Sequence, residues 1–199
     1  MILQAALFIA GLTVASGSIC CPPKQFNAFQ YVTIVNSTTT LRALYHIVYD
    51  GLKQRYLISG DRLNNYLGTT KVIYDYQKML GYSIGSVART CTTFPLHGHF
   101  EDQENICVPS GAVSLGPYFY GYNRNKLASA TYTYNSTTTD GRHQSIEAIV
   151  SQDDCVPLVS TTISTDSAGV NSLYVLGYND FYPGIKDASV LDIPTYCRF

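Results

Sequence analysis

Tryptophan is absent from this sequence of 199 residues, and charged side chains are scarce. A lipocalin carries a Gly-x-Trp motif near its first strand, so the lack of tryptophan argues against that class of lipid carrier. Charged residues make up 14% of the chain, and the formal net charge is −1. No basic stripe or acidic block interrupts the sequence, so the electrostatic surface of a nucleic-acid binder is missing. The composition therefore predicts no nucleic-acid partner.

Charge is also missing from the start of the chain. Residues 2–14 form an apolar run that is too short to cross a hydrocarbon core of about 30 Å. Small residues follow at positions 15–18, as signal peptidase requires before its cleavage site. We expect residues 1–18 to be a signal peptide that is removed, and residues 19–199 to form a single domain. The mature protein is then secreted and extracellular, with no transmembrane segment.

The aromatic and hydroxyl residues that are present favour β-structure. The chain has 17 Tyr and 8 Phe together with runs of threonine, which suit half-buried strands. Strand-like segments recur between turn signals and predict about nine to eleven strands, enough for two stacked sheets. Residues 95–117 are rich in Pro and Gly and predict a long irregular stretch. Residues 184–191 predict one short helix that ends before Pro194.

Six cysteines remain after the predicted cleavage. In an oxidising compartment they predict three disulfide bonds, but the sequence alone leaves their connectivity open. A zinc site would need closely spaced ligand pairs, and only two adjacent cysteines come near that pattern. The cysteines are Cys20, Cys21, Cys91, Cys107, Cys155 and Cys197.

The five residues Asn-Ser-Thr-Thr-Thr occur twice, each time directly after a strand-like segment. Each copy begins a glycosylation sequon, at Asn36 and at Asn135. In a secreted protein, an acceptor asparagine on an exposed turn is normally modified. We therefore predict that both asparagines lie at hairpin tips and carry N-glycans.

Gly81, Ser83 and Gly85 match the G-x-S-x-G pattern of a hydrolase nucleophile elbow. That elbow places its serine on a sharp turn from a strand into a helix. The residues that follow are β-branched or carry hydroxyl groups, so we expect Ser83 to lie in a strand between glycines. The sequence therefore predicts no catalytic residues and no enzyme activity.

Two groups of polar residues could hold a metal ion. His97 and His99 lie close to Glu101, Asp102 and Glu104, but nothing in the sequence fixes a third and fourth ligand for zinc or copper. A solvated polar loop is the simpler interpretation. The acidic pair before Cys155 lacks the alternating pattern of an EF-hand loop and is better explained as a turn.

Several segments together resemble one family, the ependymins and ependymin-related proteins. The resemblance extends over the whole mature chain and depends on the order and spacing of its parts. These are Cys20-x-x-Pro23-x-Gln25-Phe26, Tyr49-Asp50-Gly51-x-x-Gln54-Arg55, Asp154-Cys155-Val156-Pro157, and Gly184-Ile185-Lys186-Asp187-x-Ser189-Val190 followed by Pro194 and Cys197.

The resemblance implies a secreted glycoprotein with a fold of the all-β class. Its two curved, mainly antiparallel sheets are expected to stack and enclose an apolar pocket, with a short C-terminal helix. It implies the disulfides Cys20–Cys155 and Cys91–Cys197 and leaves Cys21–Cys107, although Cys20 and Cys21 are interchangeable at this stage. It also implies a lipid-like hydrophobic ligand, a possible homodimer and possible association with calcium, but no other cofactor.

Two functions follow from these expectations. The first is binding of a lipid-like molecule in a pocket between the sheets. The second is a structural role in an extracellular or biomineral matrix, with matrix components as partners. For the first function we predict a pocket lined by apolar residues of the central strands, although the same residues could form an ordinary filled core. They are Tyr45, Ile47, Tyr49, Tyr74, Tyr76, Tyr82 and Ile84.

Overall fold

A computed structural model describes residues 18–60, 70–100, 106–138 and 140–197. The predicted signal peptide, apart from Ser18, lies outside the described residues. Thirteen strands occupy most of the described chain. They are β1 (Ser18–Cys20), β2 (Gln25–Val35), β3 (Thr40–Asp50), β4 (Arg55–Ser59), β5 (Lys71–Asp75), β6 (Leu80–Gly85), β7 (Thr90–Pro95), β8 (Val108–Pro109), β9 (Val113–Tyr122), β10 (Asn125–Thr137), β11 (His143–Ser151), β12 (Pro157–Thr165) and β13 (Asn171–Pro183).

The strands form two antiparallel sheets, and the predicted all-β fold with a short C-terminal helix is confirmed. Eleven strands form the large sheet in the order β7-β6-β5-β4-β3-β2-β13-β12-β11-β10-β9. The small sheet pairs β1 with β8. It packs on the large sheet, where Cys20 and Val108 contact Val150 and Tyr132. The sheets therefore stack, but they differ greatly in size.

The two faces of the large sheet can be told apart by the pairing of β2, β3 and β4. Alternate residues of a strand point to opposite faces. We call the side that carries Phe26, Ala28 and Ile47 the first face, and the side that carries Val48 and Leu57 the second face. These names are used throughout.

On the central strand β2, the first face is much more buried than the second. On β2, the first-face residues Phe26 and Ala28 are each 1% exposed, whereas the second-face residues Phe29 and Tyr31 are 39% and 42% exposed. Burial on this central strand is therefore concentrated on the first face.

The C-terminal segment, residues 184–197, covers the second face of β4 to β7. Leu191 and Cys197 are buried against Val48, Leu57 and Ile73 in one hydrophobic cluster. The segment contains two short 3₁₀ helices, Ala188–Leu191 and Thr195–Cys197. The first begins where the Asp187 carboxylate accepts a hydrogen bond from the Ser189 N–H at 2.9 Å.

Three local predictions need correction. The stretch at residues 95–117 is not irregular throughout, because it contains β8 and the start of β9. The C-terminal helix is a 3₁₀ helix of four residues rather than the eight that were predicted. Asn36 lies in the turn between β2 and β3, but Asn135 lies within β10 and pairs with Ser145. Only the first sequon is thus at a hairpin tip.

The described chain has no helical element of membrane-spanning length. None of the helices within residues 18–60, 70–100, 106–138 and 140–197 has the length and apolarity needed to cross a bilayer.

Candidate functional site

A row of six aromatic rings crosses the first face from β13 to β7. Consecutive ring centroids along this aromatic row lie 4.7, 5.0, 6.4, 6.1 and 6.0 Å apart, within the range of favourable aromatic contacts. Phe26 is buried and the other rings are half-buried. The row consists of Phe181, Phe26, Tyr49, Tyr56, Tyr74 and Phe94.

The row has no ring on β6, because that strand contributes Gly81 at this position. Gly81 pairs with Phe94 and Tyr74 in the register, and a Cβ at this glycine would overlap the Phe94 ring. This close approach gives the glycine of the G-x-S-x-G pattern a packing role. Ser83 lies in the middle of β6, as expected from the sequence, and not on a turn into a helix.

Phe100 lies over the middle of the aromatic row. Its ring centroid is 5.3 Å from that of Tyr49 and 5.4 Å from that of Tyr76. The side chain is only 4% exposed. Ile106 packs against the same cluster as Phe26 and Ile47. The chain itself therefore covers part of this face, and the rings on either side of Phe100 are half-buried.

A cavity adjoins the Phe181 end of the aromatic row. Its volume is about 660 Å³, which lies within the usual range of small-molecule sites. Phe181, Pro22, Pro23 and Val156 give it apolar walls, and Lys24 and Asp154 also line it. Phe181 therefore joins the cavity to the row through its stacking on the buried Phe26.

The seven residues predicted to line one pocket lie on two different faces. Tyr45, Ile47 and Tyr49 lie on the first face of β3, and Tyr74 lies on the same face of β5. Tyr76 follows β5 and contacts Phe100 on that side. The structure therefore brings these five together.

Tyr82 and Ile84 lie on the second face and must be removed from the predicted pocket. Tyr82 pairs with Ile73, and Ile84 pairs with Lys71. Both side chains are buried under the C-terminal segment, in the cluster that contains Leu191. The physical reason is the register of β6: a residue that pairs with Ile73 must share its face, and Ile73 belongs to the second face.

A larger cavity of about 1020 Å³ lies on the second face, beside the C-terminal segment. Tyr82, Leu80 and Ile193 line it together with charged residues. The charged residues are Arg55, Lys78 and Asp192. Arg55 and Lys78 lie 3.1 and 3.6 Å from a carboxylate oxygen of the fully buried Asp75. Their ion pairs with Asp75 suit a structural role.

Charge is distributed very unequally between the two faces. No described side chain is charged at the positions that the register assigns to the first face in β2–β6, β11–β13 and residues 130–136 of β10. Burial on this face raises the pKa of the Tyr134 phenol. The charged residues of these strands on the second face include Arg42, Asp50, Arg55, Lys71, Asp75 and Glu147.

Two disulfides of the structure are those that the family resemblance implied, and the third joins the two cysteines that were left. They join Cys20 to Cys155, Cys21 to Cys107, and Cys91 to Cys197. Cys20 and Cys21, which are adjacent in the sequence, therefore hold β1 to two different segments.

The residues of the predicted metal site are described only in part. His97 and His99 are described, whereas Glu101, Asp102 and Glu104 lie outside the described residues. Within the described ranges, no group of three or more His, Cys, Asp or Glu side chains could hold a metal ion. Asn36 and Asn135 are both exposed, as an acceptor of a glycan must be.

Sequence reasoning did not include Tyr56, Phe94 and Phe181 in the predicted pocket. Tyr56 follows Arg55 in a segment that was recognised as a strand, so its alternation with Leu57 could have indicated the shared face with Tyr74. Phe94 lies in β7, which was not predicted. Phe181 lies beside a register shift in β13 between Asn179 and Tyr182, which alternation alone does not reveal.

Comparisons with known proteins match the chain to one family over most of its length. The family model for ependymin matches residues 64–197. Ependymin-related protein 1 of Haliotis asinina is 68% identical over the whole of both chains, and Ependymin-related protein 2 of the same species is 60% identical over the same extent.

The solved structures that match the chain are much more distant. A LolA superfamily protein from Nitrosomonas europaea has a TM-score of 0.43 at 10% identity, covering 88% of this chain and 93% of its own. A DUF1329 family protein from Desulfovibrio piger has a TM-score of 0.42 at 11% identity, covering 85% and 90%. Similarity at this level does not bear on function.

Proposed function

Because the chain belongs to the ependymin family, we propose that it is a secreted protein that binds a lipid-like molecule against the aromatic row of its first face. The observation that supports this proposal is the continuity of six aromatic rings with the cavity of about 660 Å³ at Phe181. A ligand tail could lie in the cavity and extend along the half-buried rings.

The chemistry of the first face fits an apolar ligand. A tyrosine ring packs against an acyl chain while its hydroxyl group reaches a polar group or water. No described charged side chain occupies the first-face positions around the row, so an apolar tail along the rings would not have to displace water from an ion. Two charged residues, Lys24 and Asp154, line the cavity at Phe181, whereas three, Arg55, Lys78 and Asp192, line the second-face cavity.

The direct test is a titration of delipidated protein with diphenylhexatriene, an uncharged apolar probe that becomes fluorescent when it leaves water. We expect saturable binding. Tyr56→Asp places a carboxylate in the middle of the aromatic row and should weaken binding at least about tenfold, because the charge must stay hydrated.

The matched control is Tyr31→Asp. Tyr31 is a tyrosine of β2 on the second face, and it is 42% exposed. The same substitution there should leave binding unchanged. Circular dichroism shows whether both variants are folded. No probe binding by folded wild-type protein would reject the proposal, and loss of binding only in Ile193→Asp would place the ligand in the second-face cavity.

A structural role in an extracellular or biomineral matrix is the second candidate, and the edge strand β9 favours it. Its aromatic residues Tyr118, Phe119 and Tyr122 are 50%, 66% and 73% exposed. An exposed edge strand with large apolar side chains is a natural surface for association, either with matrix components or with a second copy. Protein that resists salt extraction from a demineralised matrix would support this role, and full extraction in dilute buffer would count against it.

Calcium association stays a prediction. Equilibrium dialysis with ⁴⁵Ca²⁺ would test it, and the described residues do not supply a cluster of three candidate ligands.

A further inference from the structure

The hairpin formed by β9 and β10 ends in a cluster of exposed aromatic and aliphatic side chains. The loop between the strands has only two residues, Asn123 and Arg124, because Tyr122 and Asn125 form the last pair of the register. We call residues 118–127 the hairpin tip. Soluble proteins seldom leave so many large apolar side chains together in water without a partner. These side chains are Tyr118, Phe119, Tyr120, Tyr122 and Leu127, which are 43–73% exposed.

The charge of the hairpin tip is positive. Between positions 113 and 139 the sequence contains two charged residues, Arg124 and Lys126, and both are exposed. The Lys126 ammonium group lies 5.6 Å from the centroid of the Phe119 ring, so cations and aromatic rings share this end of the hairpin. Aromatic residues beside Arg or Lys are typical of protein surfaces that enter the head-group layer of a bilayer. There the rings are partly buried and the cations meet anionic lipid.

The hairpin tip adjoins the cavity at Phe181. Leu127 pairs with Tyr120 across the hairpin, so these two side chains share one face of it. Leu127 also lines the cavity of about 660 Å³, together with Lys24 and Phe181. Arg124 is three residues from Leu127, a distance of about 10 Å along an extended chain. A membrane in contact with the hairpin tip would therefore lie close to the cavity.

Two acidic residues lie at the base of the hairpin tip rather than at its end. The Gln152 N–H donates to the Ala128 carbonyl at 3.0 Å, which places the turn that carries Asp153 and Asp154 beside Ala128. Ala128 is four residues, or about 13 Å, from Arg124. At physiological salt the interaction between exposed charges is screened over about 8 Å. The acids therefore weaken the attraction of the two cations to an anionic surface only slightly, and they favour an approach with the end of the hairpin first.

We propose that the hairpin tip docks the protein on a bilayer that contains anionic phospholipid, and that the ligand enters the cavity from this bilayer past Leu127. This inference rests on the proposed function. An acyl chain is far more soluble in a membrane than in water, so a carrier acquires it most readily from a bilayer. Charge favours this partner over a second copy of the chain, because two hairpin tips with two cations each repel one another.

Vesicle flotation of the full-length, disulfide-bonded protein tests the docking step. The vesicles contain either phosphatidylcholine alone or phosphatidylcholine and phosphatidylserine in a ratio of about 7:3, in about 0.15 M salt. We expect the protein to bind the mixed vesicles at least about tenfold more tightly than the neutral vesicles. Equal binding to both kinds of vesicle, or binding to neither, would overturn the proposal.

Two double variants that remove the same charge locate the docking surface. Arg124→Gln with Lys126→Gln removes both cations from the hairpin tip and should weaken binding to the mixed vesicles at least about tenfold. Lys53→Gln with Arg89→Gln removes two exposed cations from the β3–β4 and β6–β7 turns and should change binding less than about twofold. Equal losses from the two double variants would show that net charge causes the binding, and would contradict the proposal.

Tyr122 and Tyr31 give the corresponding test of the aromatic side chains. Tyr122 is 73% exposed in the hairpin tip, whereas Tyr31 is 42% exposed on the second face of β2. Tyr122→Ser should weaken binding to the mixed vesicles about three- to tenfold, because less apolar surface enters the head-group layer. Tyr31→Ser should leave that binding unchanged, and equal effects would count against the hairpin tip. Self-association without vesicles that Tyr122→Ser abolishes would assign the tip to a second copy and overturn the proposal.

Transfer of diphenylhexatriene from preloaded vesicles to the protein connects docking with ligand entry. Wild-type protein should take up the probe faster from mixed vesicles than from neutral ones. The variant with Arg124→Gln and Lys126→Gln should lose this difference and keep the same affinity for the probe when no vesicles are present. Uptake by wild-type protein at the same rate from both kinds of vesicle would overturn the entry route and leave the proposed function intact. Failure of folded wild-type protein to bind the probe at all would reject the proposed function itself.

Discussion

The two wings of the large sheet are stabilised in different ways. The aromatic wing, β3–β7, is covered on both faces: Phe100 and Ile106 lie on the first, and the C-terminal segment lies on the second. The hydroxyl wing, β9–β12, has the small sheet on part of its first face, while large side chains such as Tyr122 and Ile163 remain exposed.

Strand length compensates for this difference in packing. The strands β4–β7 have five or six residues each, whereas β9–β12 have nine to thirteen. Longer strands make more ladder hydrogen bonds and more cross-strand contacts, which stabilise a sheet even where its side chains are polar. Short strands depend on tertiary packing. The aromatic wing should therefore be sensitive to single changes that the hydroxyl wing tolerates.

Loss of the Cys91–Cys197 disulfide should have the largest effect. The bond closes a loop with a sequence separation of 106 residues, so replacing both cysteines with serine should cost up to about 4–5 kcal/mol of unfolding free energy, measured by urea denaturation. Because the C-terminal segment is then held only by packing, hydrogen exchange should increase in β4–β6. A uniform increase across β10–β12 as well would contradict the distinction between the wings.

Two ion pairs, one in each wing, make the comparison sharper. Asp75 is fully buried and lies 3.1 Å from Arg55, whereas the Asp140–Arg142 pair is exposed at 2.9 Å. Asp75→Asn leaves Arg55 without its counter-charge and should lower the free energy of unfolding by about 2–3 kcal/mol. This loss is at or below the usual range for buried pairs, because Arg55 is partly solvated. Asp140→Asn should not change the urea midpoint. Equal losses from the two variants would show that the aromatic wing has no special dependence on its buried contacts.

Gly81→Ala tests the packing of the aromatic row. The new Cβ would overlap the Phe94 ring. Because the ring must move, the free energy of unfolding should fall by about 1–3 kcal/mol. The matched control is Gly177→Ala in β13, where the nearest atom to an added Cβ is 4.0 Å away. Thermal unfolding of the two variants checks this, and comparable shifts in Tm would contradict the assigned role of Gly81.

Removal of the two predicted N-glycans should have the smallest effect on stability. Asn36 and Asn135 are exposed, so sugars attached there project into solvent and contact little of the core. Glycosidase treatment of protein secreted from animal cells should change the unfolding free energy by less than about 0.5 kcal/mol while reducing solubility. An unchanged mass after treatment would show that the sites are not used.

The sequence predicted the strands far better than it predicted their faces. Strand-like segments between turn signals identified β3 and β5, and Tyr45, Ile47 and Tyr49 were correctly placed on one side. Tyr82 and Ile84 were assigned to that side as well, because the register of β6 cannot be read from one strand alone. A shift of one residue moves every side chain to the opposite face. The pairing of Tyr82 with Ile73 is what shows that Tyr82 lies on the second face.

The missed strands have a different cause. Gly116 and Pro117 lie within β9, and both residues are usually signs of a turn. Gly116 has a φ of 109°, which a glycine adopts easily, and it lies beside a register shift in the pairing with β10. A bulge of this kind keeps a strand in the sheet although its sequence resembles a loop.

Organic extraction and mass spectrometry of the protein from its native source would test the central claim most directly. Native protein with its disulfides intact should release about one lipid-like molecule per chain. Wild-type protein that is folded, releases no lipid and takes up no diphenylhexatriene after extraction would contradict the account.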